Sequence, residues 1–266
     1  MEKSKVYFVK EISKESLVKI YNALGVKLKG NVGVKISTGE PGGHNFLNPK
    51  LHWNAIKNHG FSDIAPCDIL DEAEEKSIKV TNGFHLTENI VGANIDKYDS
   101  LLILSHFKGH AMGGFGGALK NMSIGIASSN GKANIHTAGK TKKVSELWSN
   151  LPKQDDFLES MADACSSVMD YVGRENIVYI NVANNLSVDC DCNSNPAEPK
   201  MKDIGIFAST DPVAVDQASV DSVFNSTDEG KADLIERINS RNGIHTIEAS
   251  EKLNLGNREY EIIVLN

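Results

Sequence analysis

The run SLLILSH (Ser100–His106) is apolar without alternation. A strand with one wet face alternates polar and apolar residues, so an unbroken run reads as a strand covered on both faces, the kind found in parallel sheets. Covering both faces takes helices, and the chain supplies them between its strands. SKESLVKIYNALG reads as a helix closed by Gly25. From Asp155 to Val172, the residues Phe157, Met161, Ala164, Cys165, Val168 and Val172 fall on one helical stripe, with Gly173 behind them. TDPVAVDQASVDSVF opens a helix with Asp211 as N-cap and Pro212 at the first position, and KADLIERINSR is a further helix. Asn48 and Pro49 look like the start of another, over KLHWNAIKNH, with Gly60 as its stop. KVYFVK (Lys5–Lys10), GNVGVKIST, ENIVYINVANN, IGIFAS and EYEIIVLN read as strands. This alternation predicts an α/β fold: a mostly parallel sheet, helices on both faces, and a ligand cleft at the strand carboxyl ends.

The 266 residues, 40% of them apolar, suit one α/β domain over 1–266, with the polar stretch 137–153 as a mobile connection. A net charge of −7 without a basic stripe argues against a nucleic-acid partner. No stretch reaches the roughly 18 apolar residues of a membrane span, and MEKSKVYFVKEISK has no apolar leader core. Four cysteines, Cys67, Cys165, Cys190 and Cys192, without an export signal fit a cytoplasmic protein better than a disulfide framework. Cys165 lies on the helix stripe and reads as buried filler.

Chemistry concentrates after the strands. KISTGEPGGHN, SHFKGHAMGGFGG, NNLSVDCDCN and STDP each follow one, and parallel neighbours would line all four along one edge. The glycine-rich segment is not G-x-x-x-x-G-K-[ST], and Leu119 stands where G-x-G-x-x-G needs its third glycine. Backbone N–H groups around Gly113, Gly114, Gly116 and Gly117, a helix starting near Gly117, and Lys108 or Lys120 could still hold an anion. The same glycines serve equally well in a tight strand-to-helix turn. Lys35, Asn121 and Asp211 complete the set of anion- or cofactor-binding candidates, and Lys120, Asp216 and Glu40 are the catalytic candidates, the two carboxylates as acid–base groups. In VDCDC, Cys190 and Cys192 offer two thiolates where structural zinc takes four ligands, so His106 and His110 would have to complete a divalent transition-metal site. A pair of partly buried thiols on a strand end is the alternative. The expected partner is a small anionic ligand or a metal ion. His106 or His110, Cys190 or Cys192, and Asp211 are expected within about 12 Å of one point, from the spacing of neighbouring strands.

SHFKGHAMGGFGGALKNMSIGIASSNGKANIH, VDCDC and DIGIFASTDPVAVDQASVD resemble three signature blocks of the family called "domain of unknown function 362", often described as Fe–S centre proteins, and VGVKISTGEPGGHNFLNP resembles its N-terminal block. The blocks fall in the family's order along nearly the whole chain. The resemblance implies a redox-related or cofactor-binding role without naming a reaction. Two departures stand out. The ferredoxin-like insert of many relatives would fall in TAGKTKKVSELWSNLPKQD, which has no cysteine, so no ferredoxin-type [4Fe–4S] cluster is expected. A strand and loop that relatives carry before the HGF motif have no counterpart around residues 50–52. The leading expectation is a metal- or cofactor-binding protein. The alternatives are an enzyme acting on a phosphate- or carboxylate-bearing small molecule through the glycine-rich loop, and a non-catalytic accessory protein.

Overall fold

Local sequence decides where most elements start and stop. The structure, a computed structural model, describes residues 3–36, 56–57, 60–190, 193 and 196–266. The first elements are β1 (Ser4–Val9), α1 (Lys14–Ala23), β2 (Val32–Lys35), α2 (Phe61–Ile64), β3 (Glu75–Lys79), β4 (Glu88–Gly92) and β5 (Ser100–His106). Then come β6 (Lys108–His110), β7 (Gly114–Gly116), α3 (Ala118–Ser123), α4 (Ser129–His136) and α5 (Gln154–Val172). The chain continues through β8 (Ile177–Ala183), β9 (Gly205–Ser209), α6 (Pro212–Phe224), α7 (Ala232–Ser240), α8 (Ile244–Lys252) and β10 (Tyr260–Val264). Ser13 caps α1, its hydroxyl accepting from Ser16 N at 3.1 Å. Asp211 caps α6, accepting from Val213 N and Ala214 N at 2.8 and 3.0 Å. Gly173 ends α5 at φ 91°, a conformation that favours glycine. The helix expected to begin at Pro49 falls largely outside the described residues.

The main sheet has the order β10-β1-β9-β8-β5-β2. β10 and β1 pair in parallel, as do β8, β5 and β2. β9 alone is reversed, antiparallel to both β1 and β8. The α/β fold with a mostly parallel sheet is therefore as expected. One consequence drawn from it is not. Gly205 pairs with Ala183 and Ser209 with Tyr179, so the STDP turn after β9 lies at the edge where β8 begins. The cause is the connection. Parallel neighbours need a crossover, usually a helix, and no helix is described between Ala183 and Gly205. The chain simply returns beside itself.

Both faces are covered. On one, Ile20 of α1 and Leu24 just after it pack on Val178, Ile180 and Ile206. On the other, Leu119 and Met122 of α3 and Val213 and Val220 of α6 pack on Leu101, Ile103 and Tyr179. Alternate residues of β8 thus point into two cores, which is why the strand reads as continuously apolar. A third cluster joins Phe157, Leu158 and Met161 of α5 to Leu86 and Ile135. Within 137–153, the Thr137 hydroxyl donates to Thr141 O at 3.0 Å and the Thr141 hydroxyl to Glu146 at 2.8 Å. No described helix is long and apolar enough to cross a membrane.

Candidate functional site

β2, β5 and β8 end at one edge, and the glycine-rich segment folds there as a short antiparallel ribbon rather than a phosphate loop. Lys108 pairs with Gly116 and His110 with Gly114. Gly114 takes φ 80° and abuts the Gly243 backbone, so a side chain there would be strained and crowded. Gly109 approaches the Val188 backbone, and its N–H donates to Ser187 O at 2.8 Å, which ties the ribbon to the segment after β8. Gly113 faces the His110 ring. Gly116 lies between two lysines: a Cβ placed there would be 3.9 Å from both Lys108 Cε and Lys120 Cδ.

Those lysines are 5% and 8% exposed. Lys108 Nζ donates to His106 O at 3.2 Å. Lys120 Nζ lies 3.6 Å from Cys190 Sγ, and the thiol is itself only 5% exposed. The next residue, Asn121, donates to Lys35 O, Leu104 O and Ser105 Oγ at 3.2, 3.0 and 3.1 Å, while its Oδ1 accepts from Lys35 Nζ at 3.1 Å. Lys35, Lys108, Lys120, Asn121 and Cys190 therefore meet around one turn of α3. Sequence spacing points to each group singly. The sheet order assembles them.

Asp216 has a different place from the one expected. It is fully buried, and its carboxylate accepts from Ala118 N, Leu119 N and Asn181 Nδ2 at 2.7, 2.9 and 2.7 Å. The start of α3, which was to present its positive end to a ligand, is covered by this carboxylate. Gly117 is glycine because Asp216 comes so close: a Cβ there would lie 2.4 Å from Oδ1. Burial lifts the Asp216 carboxyl to about 6, against the lowering effect of its hydrogen bonds.

The other expected residues divide. His106 Nε2 meets Asn184 O at 2.7 Å, so that nitrogen carries hydrogen and donates. His110 Nδ1 accepts from Gly113 N at 2.8 Å and Met112 N at 3.3 Å, closing the ribbon's turn. Glu40 and Cys192 lie outside the described residues, so the full Cys190, Cys192, His106, His110 set does too. Asp211 is at the opposite edge, where it also accepts from Ser4 Oγ and Asn257 N at 2.6 and 2.8 Å. The expectation of one point shared by Asp211, a histidine and a cysteine fails because β9 is reversed. The His136 ring stacks 5.0 Å from Phe157. One open surface hollow, lined by Lys29, Gly30, Asp96, Tyr98 and Asp99, is near the amino ends of β2 and β5. Convergent charge, rather than the size of a hollow, is what recognises an anion.

A second constellation had no signal in the sequence reading. His85, Asp156 and Glu159 bring ligand atoms within 4.8 Å of one another. His85 Nε2 and His245 Nε2 contact separate oxygens of Glu159, at 2.7 and 3.0 Å. Burial alone would raise the Glu159 carboxyl, but the two histidine contacts outweigh it and hold it below the usual carboxylate range. Such a group is compatible with a metal. Its members come from a loop, α5 and α8, and only the Asp156/Glu159 spacing is local.

Residues 18–221 match the family model described as "Domain of unknown function (DUF362)". Neither the search of curated proteins nor that of solved structures gave a match.

Proposed function

Because the chain belongs to the family described as domain of unknown function 362, a description that names no reaction, we propose its function from geometry. The protein binds a small anionic ligand, bearing a phosphate or carboxylate group, at the carboxyl ends of β2, β5 and β8. The observation that carries this reading is the pairing of Lys108 and Lys120, both buried, on either side of Gly116. Two buried lysines whose stems converge on one position can share an anion between them. Lys35 adds a third positive charge across Asn121. Gly116 keeps the space between the lysine stems open, and the thiol of Cys190 gives the site a soft, polarisable wall.

Thermal unfolding with inorganic phosphate and pyrophosphate tests this. Either anion should raise the Tm of the native chain by about 5 °C at a hundredfold excess over its Kd. Lys108→Met and Lys120→Met keep most of the stem volume and remove the charge, and each should abolish the rise. An unmoved Tm in the native chain, or the same rise in both variants, overturns the proposal.

A further inference from the structure

We propose that His85, Asp156, Glu159 and His245 form a binding site for one divalent first-row transition ion, with zinc as the natural test. The site is independent of the anion reading and lies on other elements. Two imidazoles converge on the two oxygens of one carboxylate. Each contact is bridged by a hydrogen on Nε2. A cation placed among these atoms replaces both bridges: a neutral histidine ligates through Nε2 with its proton on Nδ1, and a protonated one releases a proton. Asp156 is the third observation. Among the described residues its carboxylate makes no hydrogen bond, yet it lies within 4.8 Å of His85 and Glu159 ligand atoms. His85, Asp156 and Glu159 supply three converging ligand atoms, His245 on the other oxygen of Glu159 would move in as the fourth of a tetrahedral zinc site, and two carboxylates neutralise the ion.

The frame around the group is built for fixed positions. Buried Asp163, one helical turn beyond Glu159, accepts from the N–H groups of Phe84, His85 and Leu86 at 2.8, 2.8 and 2.9 Å, holding the His85 loop on α5. Gly83 permits that approach, since a Cβ there would be 3.0 Å from Asp163 Cγ. Asn242 donates to Asp155 at 2.7 Å, setting the start of α8 against α5 and so placing His245. Glu248 faces His245 Nδ1 at 3.4 Å and is itself paired with Arg258 at 3.2 Å, an outer carboxylate of the kind that orients a metal-bound imidazole. The histidine and Glu159 side chains keep 14–24% exposure, so an ion can reach them from solvent.

Equilibrium dialysis of the chelator-treated full chain against zinc should give one tightly held ion per chain. His85→Ala and Glu159→Gln should each weaken it at least about tenfold, the lower end of what even outer-shell changes cost metal sites. Zinc should also protect His85 and His245 from diethylpyrocarbonate in the unaltered protein, read by mass spectrometry, which needs no variant to fold. No stoichiometric ion, no protection of these two histidines, or an ion kept by His85→Ala and lost with Cys190→Ser would overturn the proposal.

Discussion

At Asp216, burial and hydrogen bonding pull the carboxyl in opposite directions. Burial prevails, lifting it to about 6 from an ordinary 3.8. The sign of the stability effect follows. Between about pH 4 and pH 6 the folded chain keeps a proton that the unfolded chain releases, so this group's contribution is full below that window and is lost as pH rises through it, on the order of 2–3 kcal/mol. Asp216→Asn mimics the protonated form and removes the titration. Urea midpoints from pH 4 to pH 7 should show the native chain losing stability relative to the variant across the window. Parallel profiles would mean that Asp216 is ionised throughout. None of this was legible at the residue. TDPVAVDQASVD announces the Asp211 cap through local chemistry, and the structure has that cap. Asp216 looks like one more polar residue on the helix, and the same letters fit an acid–base group or an internal cap. Only the position of Ala118, 98 residues away, distinguishes them.

The element that best divides the legible from the illegible is α5. Its apolar stripe and its stop at Gly173 follow from helical period and glycine's freedom at positive φ, both local properties. Phe157, Met161, Ala164, Cys165 and Val168 are buried as that stripe predicts. Its second face, Asp156, Glu159 and Asp163, shows the same helical spacing but reads as an ordinary solvated face. Its partners, His85 and the amides of residues 84–86, lie more than 70 positions away. Asp163→Ala should leave those amides without their acceptors at about 1–3 kcal/mol for each group that water does not reach. Hydrogen exchange should accelerate at Phe84–Leu86 well before β8. Unchanged exchange at these amides would mean that the loop is held by its neighbours, not by Asp163.

On the scale of the whole molecule, the elements were readable and their order was not. Each strand declares itself by its own run of residues, and the alternation of strand and helix implies the layers. Which strands neighbour one another depends on how the connections run, and the polar stretch after Ala183 hides a reversal that moves Asp211 to the far edge. The same placement bears on iron–sulfur chemistry. A Cys₄-held cluster needs four thiolates within reach of one centre, and the chain has four cysteines in all. Cys165 is fully buried on the core face of α5. Its thiol donates to Leu119 O at 3.1 Å, and burial pushes it far above the usual thiol range, so it resists becoming a thiolate. Cys190 belongs to a different environment, beside Lys120, and Cys67 is on the segment before β3, contacting Ala65 O. Recruiting all four would mean drawing Cys165 out of the core, an opening close to unfolding α5. Anaerobic reconstitution with iron and sulfide should therefore leave no visible absorbance after desalting. A brown protein holding about four irons per chain would show that the core around α5 opens far more readily than its packing implies.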